Sequence, residues 1–93
     1  MRERWFGATG RRVPEIAVEG DPAVPLGEAL VLGDASDVES LRAAHAAGRP
    51  VVVRAADADG VRAALARPEV SCVVVPVEAP ELLELDFRRM TYG

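Results

Sequence analysis

The sequence of 93 residues contains no lysine, asparagine or glutamine, and all eleven of its basic residues are arginine. Schiff-base chemistry, and any mechanism that needs a lysine ammonium, is therefore excluded within this chain. The formal net charge of −4 argues against binding to a nucleic-acid backbone, because proteins that do so rely on clustered positive charge. We expect no nucleic-acid partner and one α/β domain over residues 1–93.

Cysteine is also scarce, since Cys72 is the only one and no intramolecular disulfide can form. Its position inside the most apolar stretch favours a buried, unreactive thiol over a catalytic thiolate. The longest apolar run, residues 70–77, is far shorter than a membrane span, and Met1 is followed by charged residues rather than by a signal-peptide core. We therefore expect a cytoplasmic protein with no membrane partner.

Residues 50–76 form the stretch around which the rest of the sequence is organised. Val51 to Val53 and Val70 to Val75 are short, β-branched apolar runs, which are typical of strands covered on both faces. Between them Asp57 can cap a helix that Pro68 ends. This pattern predicts a strand, a helix and a second, parallel strand.

The same unit recurs along the chain. Predicted strand centres at Val31, Val52 and Val73 are 21 positions apart, which indicates about three βα units over residues 28–90. The predicted fold class is α/β, with an N-terminal β-hairpin in residues 1–18 followed by a small parallel sheet that has too few strands to close a barrel.

The first predicted helix covers residues 37–47. Ser36 and Glu39 have the spacing of a capping box, and Gly48 follows the last helical residue. His45 falls beside the apolar face of this helix. We interpret it as a packed, singly hydrogen-bonded histidine rather than as a ligand or a base.

A last helix is predicted from Pro80 onward, because proline is favoured in the first turn. Leu83, Phe87 and Met90 have the spacing of its buried stripe. This spacing indicates ordinary core packing rather than a cofactor site.

The N-terminal hairpin is predicted from strand candidates at Arg4 to Phe6 and Val13 to Val18. Residues 19–27 follow with two glycines and two prolines, so they cannot hold regular structure for long. This stretch is predicted to be a loop and is the best candidate for a mobile one. Four arginines form a basic patch here that we interpret as solvated surface. They are Arg2, Arg4, Arg11 and Arg12.

Aromatic residues make up only 4% of the sequence, and two of them, Trp5 and Phe6, are adjacent. A small open sheet leaves two edges and an incompletely covered apolar surface. We therefore expect a homodimer, or a complex with a protein partner, with these two aromatics at the contact. The alternative is that Trp5 plugs the base of its own sheet.

Two separated stretches resemble the aldo-keto reductase family of (β/α)8 barrels. RWFGATGRRVPEIAVEG, residues 4–20, resembles the hairpin and first strand with which those enzymes begin. ALARPEVSCVVVPVEAPELLEL, residues 64–85, resembles their closing helix, strand and helix near the cofactor. A weaker resemblance, over residues 50–76 alone, is to the archaeal RNase P barrel subunit.

The sequence departs from the aldo-keto reductase pattern at the functional positions. That family uses a tetrad of Tyr, Asp, Lys and His, and this chain has no Lys. Where the family has the Gly, Arg, Gln and Asn that hold the cofactor, the chain has Pro76, Glu78, Leu82 and Asp86. The resemblance therefore implies a non-catalytic binding or accessory protein without a cofactor. The alternative is an oxidoreductase component that binds NADP(H) only as part of an oligomer or complex.

We identify no catalytic and no metal-binding residue from the sequence. Weak candidates for a binding site follow the predicted strands directly, where ligands of parallel sheets are bound. They are Arg54, Asp57, Asp34 and Glu78. The competing interpretation of all four is helix capping and solvated loop charge.

Overall fold

The computed structural model describes residues 3–34 and 36–84. These residues form six strands, two α-helices and two 3-10 helices. The strands are β1 (Glu3–Trp5), β2 (Arg12–Pro14), β3 (Ile16–Val18), β4 (Leu30–Leu32), β5 (Val51–Arg54) and β6 (Cys72–Val75). The helices are α1 (Val38–Ala46), α2 (Ala58–Leu65) and the 3-10 helices Leu26–Glu28 and Pro80–Glu84. The predicted α/β class is confirmed.

The central sheet has four parallel strands in the order β3-β6-β5-β4, while β1 and β2 form a separate antiparallel hairpin. In the register of neighbouring strands, Val31 of β4 pairs with Val52 of β5, and Val53 of β5 pairs with Val73 of β6. The first parallel strand therefore lies beside the last one. This adjacency leaves β3 and β4 as the two edges of the sheet.

One side of the sheet, which we call the helix face, packs against α1 and α2. Val53 and Val73 project from the strands toward Leu41 of α1 and Val61 of α2, and all four side chains are almost completely buried. Leu82 of the second 3-10 helix joins the same cluster. Burying each of these large apolar side chains stabilises the fold by about 2 kcal/mol.

The opposite side, which we call the loop face, is covered by the hairpin and by the segment that links β3 to β4. Cys72 and Val74 project from β6 toward Phe6 of the hairpin and Val24 of the segment that links β3 to β4. Val24 is only 5% exposed. The predicted loop at 19–27 is confirmed as a series of turns and bends that ends in one short 3-10 helix. The segment is anchored by a core side chain and forms a 3-10 turn.

The predicted strand Val13 to Val18 is two strands that belong to different sheets. β2 ends at Pro14, and the chain passes through Glu15 into β3, which pairs in parallel with β6. The carbonyl of Glu15 already accepts a hydrogen bond from the amide of Val73, at 2.8 Å. The sequence hides this change of partner, because Glu15 to Val18 contain no turn residue and Val13 to Val18 therefore resemble one strand.

The hairpin docks closely on the turn before β5. Gly7 has φ +56°, and a Cβ at this position would lie 2.6 Å from the backbone nitrogen of Pro50. The amide of Ala8 donates to the carbonyl of Gly48, at 2.9 Å. Only glycine fits at position 7, for both its positive φ and this close approach.

Arg4 is not part of a solvated patch, so that interpretation is wrong for this residue. Its guanidinium donates to the carbonyl oxygens of Leu65 at 2.7 Å, Val70 at 3.0 Å and Arg67 at 3.3 Å, and lies 3.2 Å from a carboxylate oxygen of Glu15. Leu65 is the last residue of α2, where helix geometry leaves the carbonyl without a partner, whereas Arg67 and Val70 lie in the turn that leads into β6. Arg4 therefore holds the hairpin against the end of α2. Arg2 lies outside the described residues.

The start of α1 differs from the predicted capping box. Asp37 is the cap, and its carboxylate accepts hydrogen bonds from the amide and the hydroxyl of Ser40. Ser36 instead donates its hydroxyl to Asp34, at 2.6 Å. The end is as predicted: Gly48 has φ +72°, and the amide of Arg49 donates to the carbonyl of Ala44, which is the Schellman arrangement.

The predicted last helix begins as the 3-10 helix Pro80–Glu84. Its buried residue is Leu82, at 7% exposure, whereas Leu83 is 41% exposed. The predicted stripe starting at Leu83 is therefore wrong, because a 3-10 turn rotates successive side chains by a different angle from an α-helix. Phe87 and Met90 lie outside the described residues. Among the residues that are described, no helix is long and apolar enough to cross a membrane.

Candidate functional site

A cleft of about 500 Å³ lies at the carboxyl end of the parallel sheet, which we call the carboxyl-end cleft. It is formed where β3, β5 and β6 stop and their connecting loops begin. Most of its lining is apolar, with charged groups at only three positions. The lining residues are Glu19, Gly33, Arg54, Ala55, Ala56, Val74, Val75, Pro76, Val77 and Glu78.

An ion pair crosses the central strand at this cleft. Arg54, the last residue of β5, places its guanidinium 2.9 Å from a carboxylate oxygen of Glu19, the first residue after β3. β6 runs between these two strands, so the ion pair spans it. The other oxygen of Glu19, Oε2, is buried and has no hydrogen-bond partner among the residues described.

The sequence pattern does not identify Glu19 as a site residue, because it places this residue in a loop after the hairpin. Because β3 is a parallel strand of the main sheet, its carboxyl end faces the same edge as the ends of β5 and β6. The signal that would have found Glu19 is Ile16 to Val18 as a strand of its own, directly followed by an acidic residue.

Two of the four weak candidates line the cleft, namely Arg54 and Glu78. Glu78 follows β6 after two residues and is exposed, next to Val77, whose side chain is 59% exposed. A large exposed apolar side chain beside a cleft extends the apolar surface available to a ligand.

The other two candidates have the competing role, local capping. Asp57 caps α2 by accepting a hydrogen bond from the amide of Gly60, at 2.7 Å. Asp34 accepts from both the hydroxyl and the amide of Ser36, and these two hydrogen bonds lower the pKa of its carboxyl. Neither aspartate is among the residues that line the cleft.

Cys72 is fully buried on the loop face, as expected for an unreactive thiol. Burial, followed by the nearby negative charge of Asp21, raises its pKa to about 12, against the opposing effect of Arg4. The thiol is therefore protonated at neutral pH and is a poor nucleophile.

A second cavity, of about 620 Å³, lies at the amino end of the sheet, between the hairpin, the end of α1 and the turn before β6. Trp5, His45 and Arg49 line it. His45 is exposed there, so the interpretation of a packed histidine is wrong: position 45 turns away from Leu41 and Ala44, which are the buried residues of α1. The guanidinium of Arg12 lies over the Trp5 ring, 5.2 Å from its centre.

Within residues 3–34 and 36–84, no group of three or more His, Cys, Asp and Glu side chains is placed to hold a metal ion. Comparisons of the chain with protein-family models, with curated protein sequences and with solved structures found no match. The site is therefore interpreted from its own geometry.

Proposed function

We propose that the chain is a non-catalytic binding protein whose ligand occupies the carboxyl-end cleft. The observation that carries this proposal is an apolar cleft with one ion pair, Arg54 with Glu19, at the end of a parallel sheet. Ligands of open α/β sheets bind at the carboxyl ends of the strands. Small-molecule sites are mostly apolar, occupy about 300–1,000 Å³ and contain a few convergent polar groups.

The chemistry of the lining favours binding over catalysis. Its charged groups are one guanidinium and two carboxylates, and Arg54 is already paired with one carboxylate oxygen of Glu19. The described lining contains no imidazole, thiol or hydroxyl group. A protein of this kind holds its ligand by shape and charge.

We further propose that the chain is a shortened relative of the aldo-keto reductases. The sheet order supports this kinship, because the first parallel strand pairs with the last one, as happens when a (β/α)8 barrel closes. The alternative, an oxidoreductase component that binds NADP(H) within an oligomer, would need Arg54 to bind a phosphate. Glu19 engages Arg54 and Glu78 adds a second negative charge, so we expect no NADPH binding and no cofactor.

Self-association and a cytoplasmic location are also proposed. Trp5 is 61% exposed, which suits a contact with a second copy of the chain or with a protein partner. Phe6 is removed from this proposal, because it is 0% exposed in the core of its own chain. The alternative in which Trp5 plugs its own sheet is wrong, since Phe6 has that role.

Blocking the cleft tests the binding proposal. Ala56 lines the cleft and is exposed, so Ala56→Trp fills the site with little effect on the core; Ala43→Trp, on the exposed face of α1, is the matched control. In a fragment screen by thermal shift, we expect hits that stabilise the wild type and Ala43→Trp but not Ala56→Trp. Hits that stabilise all three proteins equally would contradict the proposed site.

Enzyme assays test the non-catalytic part. A panel of aldehydes with NADPH is expected to show no turnover, and NADPH fluorescence is expected to stay unchanged on addition of the protein. Turnover that is lost on Tyr92→Phe or His45→Ala would contradict the proposal and favour the oxidoreductase alternative.

A further inference from the structure

We infer that the ligand of the carboxyl-end cleft is a cation: a protonated amine attached to an apolar body. This inference rests on the proposed function and specifies the ligand class of the same site. Three observations lead to it: the charge balance of the lining, the unpartnered oxygen of Glu19 and the weakness of the ion pair that Arg54 forms.

The charged lining residues are Glu19, Glu78 and Arg54, which sum to one net negative charge. Arg54 and Glu19 neutralise one another at 2.9 Å, so Glu78 is the charge that remains. The whole chain carries a formal charge of −4. The local charge and the charge of the whole chain both attract cations and repel anions.

Glu19 supplies the hydrogen-bond acceptor. Its Oε2 atom is buried without a partner among the described residues, while its Oε1 atom faces Arg54. A buried carboxylate oxygen without a donor is costly. The Glu19 side chain as a whole is 41% exposed, so it can turn this oxygen toward a donor in the cleft and remove that cost. An ammonium group has three donors and no acceptor, so it suits this oxygen better than any neutral or acidic group does.

Arg54 does not compete strongly for Glu19. The side chains of Arg54 and Glu19 are 55% and 41% exposed, and ion pairs at that exposure contribute about 0–1 kcal/mol. A ligand ammonium can therefore share or replace the guanidinium at small cost. An anionic ligand at Arg54 would instead be repelled by the carboxylates of both Glu19 and Glu78, which line the same cleft.

The apolar walls hold the remainder of the ligand. Ala55, Val75, Pro76 and Val77 line the cleft, and burying apolar ligand surface against such side chains contributes about 25 cal/mol per Å². We therefore expect affinity to grow with the length of the apolar body until the cleft is filled.

A matched set of three probes tests this inference by isothermal titration calorimetry at pH 7. The probes are 4-phenylbutylamine, 4-phenylbutan-1-ol and 4-phenylbutyrate, which share one apolar body and differ in charge. An alkyl amine is protonated at this pH, as the lysine side chain is. We expect the amine to bind about tenfold more tightly than the alcohol, and the carboxylate more weakly than either.

Two variants of the ion pair must change amine affinity in opposite directions. Glu19→Gln removes the acceptor charge and should reduce the preference for the amine over the alcohol about tenfold. Arg54→Gln frees Glu19 from its partner and should increase amine affinity. Glu28→Gln, at an exposed glutamate that is not part of the cleft lining, changes the net charge equally and should leave the preference unchanged. Loss of folding would weaken binding in both ion-pair variants, so it cannot produce opposite signs.

The outcomes separate this inference from the proposed function. If the alcohol binds the wild type as tightly as the amine, or the carboxylate binds best, the cleft is a binding site and the inference of a cationic ligand is wrong. If none of the three probes binds, the inference is overturned, and the fragment screen then decides whether the cleft binds any other class of molecule.

Discussion

Arg54 and Glu19 meet across β6, with 2.9 Å between guanidinium and carboxylate, although they are the ends of two strands that do not pair with each other. The contact joins β3, which the sequence places near the hairpin, to the middle of the parallel sheet. It also sets the only described cation of the carboxyl-end cleft against a carboxylate. The fold and the proposed site are thus linked through this pair.

The first prediction concerns Arg4, which donates to the carbonyls of Leu65, Arg67 and Val70 and lies beside Glu15. Arg4→Ala removes the donor of the Leu65 and Val70 carbonyls, while the Arg67 carbonyl keeps the amide of Val70. The free energy of unfolding should fall by about 2 kcal/mol. Arg4→Lys should restore little of it, because an ammonium lacks the planar fork. Urea denaturation measures both.

Arg12→Ala is the control for Arg4. Arg12 lies on the same hairpin, but its side chain is 52% exposed and its contact with Glu3 is 4.0 Å long. A change within about 0.5 kcal/mol is expected there. Equal effects at the two arginines would mean that Arg4 does not hold the end of α2.

The second prediction places the core. Val74 is 3% exposed in β6, so Val74→Asp buries an unpaired charge and should unfold the domain, at a cost of several kcal/mol. Glu19→Ala, which removes an exposed ion pair, should leave the fold intact. Thermal melts by circular dichroism distinguish the two. Equal melting temperatures would show that the loop face is not part of the core.

The third prediction follows from the pKa of Cys72, which burial raises from 9.0 to about 12. Between these values only the unfolded chain releases the thiol proton. The free energy of unfolding should therefore fall as the pH rises above 9. This thiol contributes up to about 1.4 kcal/mol of that fall per pH unit. In Cys72→Ala that contribution is absent. Denaturation curves at pH 9, 10 and 11 give the free energy of unfolding at each pH. An equally steep fall of this free energy with pH in both proteins would contradict the burial of the thiol.

The fourth prediction is a twofold dimer formed through Trp5, which is 61% exposed. Light scattering at micromolar concentration should give a dimer mass for the wild type and a monomer mass for Trp5→Ala. Val77→Ala, at a side chain of similar exposure near the other end of the sheet, should remain dimeric. A monomer mass for the wild type would contradict the dimer, and a dimer that persists in Trp5→Ala would contradict the contact.

The local periodicity of the sequence was sufficient to predict the βα units. Val31, Val52 and Val73 do lie in strands of the parallel sheet. Asp57 caps the start of α2, and Gly48 follows the end of α1, as their types and positions indicate. These features depend on residues close together in the chain, so composition and spacing reveal them.

The remaining features depend on contacts between distant segments. Nothing local to Glu15 indicates that the chain leaves the hairpin there for β6, and nothing local to Arg4 indicates the carbonyls some sixty residues later. The sequence therefore predicts two of the three charged residues that line the cleft. Arg54 and Glu78 follow strands that the sequence pattern identifies, whereas β3, which precedes Glu19, is not distinguished from β2. Such pairings depend on the burial of both faces of the sheet by distant segments of the chain. A short window of sequence does not include those segments.

The central claim, a binding cleft at the carboxyl end of the sheet, is tested most directly by a ¹H–¹⁵N NMR titration with 4-phenylbutylamine. The account predicts progressive shifts of the backbone amides of Glu19, Arg54 and Val77, which line or border the cleft. The indole N–H of Trp5, the only tryptophan and at the opposite end of the sheet, should not move. Shifts centred on Trp5 instead, with the cleft amides unchanged, would contradict the claim.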